Sequence, residues 1–316
     1  MSVAPLAFGG NVFGWTLDET ASFRMLDAFV DEGFELVDTA DVYSRWVPGN
    51  RGGESEAIIG KWFAKSGKRD RVLIATKVGM DMGDRRRGLS RAHVIRSAEE
   101  SLARLRTDRI DLYQAHVDDP AVPFEETLDA FGTLIHQGKV RAVGASNHSA
   151  DRLAEAIGVA RGEGVLPAYA TLQPLYNLCD REEFEKALAP VCEREGLGVI
   201  PYFALASGFL SGKYRSEKDL AGRARADRVR KYLDARGMRI LEALDRVGNH
   251  YTVSPASVAI AWLASRPAVT APIASATTLD QLHDLVAGTR IALDENSLAL
   301  LDEASGYGKP AFREAG

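Results

Sequence analysis

Eight short apolar runs recur along the chain, each followed by a helix-length amphipathic stretch, and this alternation restricts the fold more than any other feature. The runs are LAF (6–8), ELVD (35–38), VLIAT (72–76), IDLYQ (110–114), VRAVGAS (140–146), YATLQ (169–173), GVIPY (198–202) and VTAPI (269–273). Their lengths suit strands, and the stretches between them carry apolar residues at helical spacing. Phe23, Leu26, Phe29 and Val30 share one face of a helix that starts near Asp18 and stops at Gly33. A second helix is expected near 54–66. A third, begun by Ser90, carries Val94, Ala98, Leu102 and Leu105, and Phe124, Leu128, Phe131 and Leu134 mark a fourth ending by Gly138.

The second half repeats the scheme. Ser149 starts one helix, and Asp180 with Glu183 three residues on reads as the capping box of the next. Helical sequence follows near 228–247, and Ser254-Pro255 opens a helix with Val258, Trp262 and Leu263 turned inward. Thr278 with Gln281 caps the helix after the eighth run, and Asp294 precedes a last one. Strand–helix alternation repeated eight times with no linker predicts a single (β/α)8 TIM barrel over residues 1–316. A doubly wound open sheet shares this local grammar, and periodicity alone does not separate the two.

Composition narrows the function classes. Lys and Arg number 39 against 44 Asp and Glu, a net charge of −5 that gives no footprint for nucleic acid or an anionic membrane. No apolar run reaches the ~18 residues needed to span a bilayer. MSVAPLAFGG lacks the basic start and long apolar core of a secretion signal. Cys179 and Cys192 have no metal-ligand spacing, no H-E-x-x-H occurs, and a reduced cytoplasmic setting is expected.

Active sites of such barrels lie at the C-terminal ends of the strands. Here those ends carry Asp38, Lys77, His116, Ser146-Asn147, Gln173 and Tyr202, with Tyr43 five positions after Asp38. Any one alone reads as structure: Asp38 and Lys77 as a buried ion pair, His116 as a satisfied interior histidine, Tyr202 as a core aromatic, Asn147 and Gln173 as partners of buried backbone. Together they make chemical sense. A free tyrosine has a pKa of about 10, and a neighbouring lysine ammonium favours the phenolate and draws that value down. Asp38 would keep Lys77 charged, and a neutral His116 would hold a substrate oxygen. Such a tyrosine protonates an oxygen on which negative charge develops, as hydride reduction of a carbonyl requires.

Taken in order, VDTADVYS, GESEAIIGKWF, IATKVG, DLYQAHVDD, GKVRAVGASN, TLQPLYNL, GFLSGKY and SPASVAIAWL resemble the aldo-keto reductase family over nearly the whole chain. The resemblance implies a catalytic tetrad of Asp38, Tyr43, Lys77 and His116, with Tyr43 as general acid. It implies a nicotinamide dinucleotide, normally NADPH, bound without a Rossmann domain. Ser146, Asn147 and Gln173 correspond to groups that hydrogen-bond the carboxamide, and Tyr202 to the ring stacked on the nicotinamide. The backbone at Gly10 and Asn11 corresponds to the first loop beside it. The stretch 202–214, with Phe203, Leu205, Ser207, Gly208 and Lys213, stands where the family wraps the pyrophosphate. Ser275, Thr277, Gln281 and Asp284 stand at the adenosine end.

Several positions depart from the family's pattern. Phe203 and Ala204 replace its usual Ser-Pro, Ser275 its glycine, Thr277 a common arginine and Leu285 a common asparagine. Grip on a 2′-phosphate then falls to Lys213, Arg223 and Arg225. NADPH is the expected cofactor, with NADH the alternative. Trp15, Trp46, Met80 and Val117 are candidate walls for a carbonyl on a hydrophobic body, and the insertion RWVPGNRGG (45–53) for a further one.

Three other readings stand beside carbonyl reduction. The same site serves an NAD-dependent alcohol or sugar dehydrogenase, or a nicotinamide-sensing regulatory subunit with little turnover, as some members of this family are subunits of ion channels. Lys77 as a Schiff base would make a lyase or isomerase. GGNVFG (9–14) does not fit G-x-G-x-x-G, GFLSGKY (208–214) is one residue short of a P-loop, and DRRRG (84–88) reads as a solvated loop at the mouth. Partners beyond a small carbonyl or alcohol, and the choice between monomer and homo-oligomer, are not written in the sequence.

Overall fold

A computed structural model describes residues 3–83 and 86–307. Asp84 and Arg85 of the DRRRG loop lie outside the described residues, as do positions 1–2 and 308–316. Eight strands run parallel: β1 (Ala7–Gly9), β2 (Leu36–Asp38), β3 (Leu73–Val78), β4 (Ile110–Ala115), β5 (Val140–Ser146), β6 (Thr171–Gln173), β7 (Gly198–Val199) and β8 (Ile273–Ala274). Their order is β7-β6-β5-β4-β3-β2-β1-β8. The two outer strands meet across a seam. Thr270 N donates to Val199 O at 2.8 Å and Ile273 N to Pro201 O at 2.9 Å. The sheet therefore closes into the (β/α)8 barrel, and the open-sheet alternative is ruled out.

Alternation along each strand sorts the core into two parts. Inward at the barrel floor are Ala7, Leu36, Ala75, Leu112, Ile200, Ala271 and Ile273, a small separate cluster. Outward residues such as Phe8, Val37, Ile74 and Tyr113 join the larger layer under the helices. Fully buried side chains there, Phe29, Phe131 and Leu128 among them, each contribute about 1.5–3 kcal/mol by leaving water. Continuing inward up the strands, the same parity gives Gly9, Asp38, Lys77, Gln114, Gly144, Ser146 and Gln173. Above the apolar floor the barrel is polar, and that layer is the site.

The helices are α1 (Glu19–Asp31), α2 (Glu54–Ser66), α3 (Arg91–Leu105), α4 (Phe124–His136), α5 (Ala150–Glu163), α6 (Ala189–Glu195), α7 (Ala226–Arg230), α8 (Ala235–Tyr251), α9 (Pro255–Ala264), α10 (Leu279–Thr289) and α11 (Glu295–Ala304). Asp18, Ser149, Ser254, Thr278 and Asp294 cap as expected, each side chain accepting from a backbone N–H in the first turn. Among the described residues no helix is long and apolar enough to cross a membrane.

Three local expectations need correction. Ser90 holds the N-cap position of α3 without a side-chain cap, and the Glu126 carboxylate accepts from Arg91 N instead. Asp180 does not form a capping box with Glu183. Its carboxylate accepts from Tyr232 Oη at 2.6 Å and Asn177 Nδ2 at 3.0 Å, and the helix begins in a π turn over Phe184–Leu188. The helical sequence expected near 228–247 forms two helices, α7 and α8, because Asp234 caps a new start by accepting from Gly237 N.

Helices α2 and α3 pack closely behind β2 and β3. A Cβ at Gly60 would lie 2.1 Å from Arg104 O, so only glycine permits this approach. The buried Glu56 carboxylate accepts from Thr76 Oγ1 at 2.6 Å and Arg104 Nε at 2.7 Å, tying α2 to β3 and α3. Asp41 shares this region with one oxygen unpartnered among the described residues. Burial, with the Glu56 charge second, pushes its pKa from 3.8 up to about 8.

Two outcomes are expected. Gly60→Ala should destabilise the fold by about 1–3 kcal/mol despite a better helix propensity, measured by urea unfolding. Asp41 binds its proton more tightly folded than unfolded, so its contribution is full below pH 3.8 and lost as pH rises through about 8. Wild-type Tm should therefore fall more steeply than that of Asp41→Asn between about pH 4 and about pH 8, with the difference levelling off above that. Parallel curves would refute the buried neutral carboxyl.

Candidate active site

Strand β2 ends on Asp38, and a tight turn follows in which Thr39 N donates to Ala75 O and Tyr43 N to Ala40 O. Ser44, at a left-handed φ of 70°, fixes the far side of the turn by donating its Oγ to Phe13 O at 2.7 Å. Asn50 Nδ2 donates to both Gly14 O and Ser44 O, so the 45–53 insertion is pinned to the β1 loop. This bracing turns the Tyr43 phenol back over the barrel.

At the centre Lys77, fully buried, stands 2.7 Å from Asp38 Oδ1 and 2.8 Å from Oδ2. Lys77 Nζ also donates to Thr39 O at 2.8 Å and Tyr43 Oη at 3.0 Å, and Tyr43 Oη donates to Asp38 Oδ2 at 3.1 Å. Ammonium, carboxylate and phenol thus form a closed triangle. Burial draws the Lys77 pKa down, opposed mainly by the Asp38 charge. The Tyr43 pKa is raised well above the ordinary tyrosine range, first by burial and then by the Asp38 charge. The expectation that Lys77 lowers it is thereby corrected: enclosed beside a carboxylate, the phenol keeps its proton.

His116 follows β4, its ring centroid 6.1 Å from that of Tyr43. Burial and then the Lys77 charge press its pKa well below the ordinary histidine value, so the ring is neutral. Its Nδ1 is buried without a partner among the described residues. Beneath it lies Gln114, fully buried, whose Nε2 is likewise unpartnered. Sequence reading passed over Gln114, although two-residue parity from His116 along IDLYQAH places it inward.

The β5 and β6 ends form one hydrogen-bonded group. Ser146 Oγ donates to Gln173 O at 2.9 Å, and Asn147 Nδ2 donates to His116 O at 2.9 Å and Ser146 Oγ at 3.1 Å. Tyr202 Oη donates to Asn147 Oδ1 at 2.8 Å. Gln173 Nε2 is turned to Asp38 Oδ1 at 2.8 Å, so this glutamine also steadies the ion pair.

The loop after β7 holds three non-glycine residues at left-handed φ, Phe203 (56°), Ala206 (46°) and Ser207 (60°), followed by Gly208 at 99°. Each non-glycine costs about 1–2 kcal/mol, and such turns gather backbone N–H groups into anion-binding concavities. Leu205 lies half-buried within the loop. Beyond it Lys213, Arg223 and Arg225 lie within one another's field, which helps hold the Lys213 pKa down after burial. No carboxylate pairs with any of the three among the described residues. The Arg225 guanidinium stands 5.1 Å over the Trp15 ring.

At the other side Ser275 Oγ donates to Gly9 O at 2.7 Å and lies 3.0 Å from Asn11 Oδ1, joining the β8 loop to the Gly9 carbonyl and the Asn11 side chain, on either side of Gly10. Gln281 Oε1 accepts from both Thr277 N and Thr277 Oγ1. Asp284 borders a cleft of about 520 Å³ with Asn249, Ser254 and His283. These groups have chemistry that suits a dinucleotide: amides and hydroxyls at the strand ends, and three cations without a carboxylate partner among the described residues. Trp15 and Trp46 meet edge to face at 5.6 Å, and Trp46 meets Tyr43 at 6.0 Å. Trp46, beside the phenol, is 46% exposed and Met80, after β3, is 37% exposed, with Val117 half-buried next to His116 in the chain.

The model of the "Aldo/keto reductase family" matches residues 5–305. An "Uncharacterized oxidoreductase YrpG" of Bacillus subtilis is 36% identical over 311 residues, 96% of this chain and 92% of the relative. "Aldo-keto reductase YhdN" of the same organism is 34% identical over 88% of this chain and 81% of its own. A "Probable voltage-gated potassium channel subunit beta" of Arabidopsis thaliana is 32% identical over 90% and 87%. A barrel closed around polar strand ends, matched by the family's model from the first strand to the last helix, makes this chain a member of the aldo/keto reductase family, NAD(P)-dependent oxidoreductases that act between carbonyl and alcohol.

Proposed function

We propose that this chain reduces an aldehyde or ketone to an alcohol with NADPH, Tyr43 serving as general acid, and that residues 1–316 act as one barrel domain. The observation that carries the reading is the closed triangle of Lys77, Asp38 and Tyr43, with every edge between 2.7 and 3.1 Å. When bound, a reduced nicotinamide supplies hydride to the carbonyl carbon. Tyr43, kept protonated by its surroundings, has a proton to give as charge develops on the substrate oxygen. Lys77, 3.0 Å from the phenol oxygen, stabilises the phenolate left behind. Asp38 and Thr39 O hold the ammonium at that position. Neutral His116 offers a ring nitrogen to the same oxygen and fixes the carbonyl face.

Ser146, Asn147, Gln173 and Tyr202 would hold the nicotinamide end. The turn at Phe203–Gly208 would hold the pyrophosphate, and Ser275, Thr277, Gln281 and Asp284 the adenosine. The unpaired cations Lys213, Arg223 and Arg225 favour NADPH over NADH, replacing the arginine that Thr277 displaces. Trp15, Trp46, Met80 and Val117 would wall in an apolar or aromatic carbonyl compound. The named channel subunit among the relatives supports a second reading, binding of the dinucleotide with little turnover; the same measurements separate the two.

Tyr43→Phe is expected to bind NADPH while losing aldehyde reduction by about 10²–10⁴-fold, followed by NADPH absorbance. Wild-type binding without oxidation across an aldehyde panel would favour the regulatory reading. Lys213→Met should weaken NADPH by about tenfold, the scale of one charged hydrogen bond, and NADH less. Equal losses, read by fluorescence titration, would move Lys213 from the 2′-phosphate to the pyrophosphate.

A further inference from the structure

We infer that His148 is a positioning residue for the pair Ser146–Asn147, acting through a hydrogen bond to the Ser146 carbonyl. The inference rests on the reading of that pair as the nicotinamide-binding end of the site. His148 lies outside the barrel wall, 3% exposed, with its Nδ1 2.9 Å from Ser146 O. The acceptor is a carbonyl, so Nδ1 carries the proton and Nε2 is a bare lone pair. The bond spans Asn147, which sits at a left-handed φ of 54°. That conformation sends the Asn147 amide back into the barrel, where it binds His116 O, Ser146 Oγ and Tyr202 Oη. Left-handed backbone is unfavourable for any side-chain-bearing residue, asparagine least so. The His148 ring closes across this strained residue and fixes the peptide before it.

The ring has little freedom of its own. It stacks on Phe124 at 6.3 Å and meets Tyr169 edge-on at 5.8 Å. Arg152 covers Phe124 at 4.0 Å while gripping Asp118 through Nε at 2.7 Å and Nη2 at 3.0 Å. The groups facing His148 are therefore Asp118, Arg152 and Tyr169. Asp118 Oδ1 stands 3.9 Å from Nε2, and both Nε2 and Tyr169 Oη lack a partner among the described residues. Burial lowers the His148 pKa and keeps the ring neutral. A residue needed only for packing between two aromatic rings would be better as phenylalanine, which buries no unpaired nitrogen. What the imidazole adds is the δ-position donor.

The test compares His148→Phe, which keeps the stack, with His148→Asn, which keeps a donor near the δ position, and His148→Gln, which moves it outward. NADPH affinity is read by fluorescence titration, alongside kcat and KM with folding checked by circular dichroism. Phe and Gln are expected to raise the NADPH Kd by about tenfold, equivalent to about 1.4 kcal/mol. Asn should stay near wild type, and kcat at saturating cofactor should change much less than KM. If Phe does not fold, Asn against Gln decides alone: tight Asn with weak Gln supports the bond, and equal affinities overturn it. Asn as weak as Phe overturns it too, leaving only packing. A wild type that binds neither NADPH nor NADH overturns the reading of the whole site and this inference with it. Wild-type binding with no difference among variants overturns this inference alone.

Discussion

Everything at the mouth of the barrel is arranged around an ion pair that water does not reach. Lys77 is fully buried and Asp38 only 1% exposed. Removing two charges from water costs several kcal/mol per ion, repaid only when geometry and further hydrogen bonds are good. Here Asp38 accepts from Lys77, Tyr43 and Gln173, and Lys77 donates to Asp38, Thr39 O and Tyr43. The pair is therefore satisfied on all sides by groups from β2, β3, β6 and one turn. A loss at any of them leaves a buried charge uncompensated. The apolar floor of alternating alanine and leucine or isoleucine side chains shuts solvent out from below.

This arrangement explains why the phenol keeps its proton. From sequence, Lys77 was the charge that mattered to Tyr43, and a lowered pKa followed. In the fold the tyrosine oxygen is enclosed and shares a carboxylate with the lysine, so burial and Asp38 decide the direction. The proposed acid is poised by its enclosure, and the lysine acts on the phenolate that a proton transfer would leave.

What was legible in the chain follows from the range over which each effect operates. Strand parity is local, so Asp38, Lys77, His116, Ser146 and Gln173 could be placed on one inward face from their neighbours alone. The same rule reaches Gln114. Caps made by adjacent residues, as at Asp18, Ser149 and Thr278, were equally readable. The failures were nonlocal. Glu126 replaces Ser90 at the start of α3 from 35 residues away, and Tyr232 claims Asp180 from a distance of 52. The Glu56–Arg104 bond, with Asp41 beside it, needed the packed helices to exist. No periodicity announces it.

The ring of strands also divides the labour along the length of the chain. Asp38, Tyr43, Lys77 and His116 all belong to β2 through the end of β4, whereas the groups proposed to hold the dinucleotide come overwhelmingly from β5 through α10. On the proposed reading the first half carries the proton chemistry and the second half the recognition, and the bonds of Asn147 to the carbonyl of His116 and of Gln173 to Asp38 are among those that join them. Such a chain offers descent with modification two separable targets. On the proposed reading, changes late in the gene alter the choice of dinucleotide and leave the acid–base machinery untouched so long as those junctions persist.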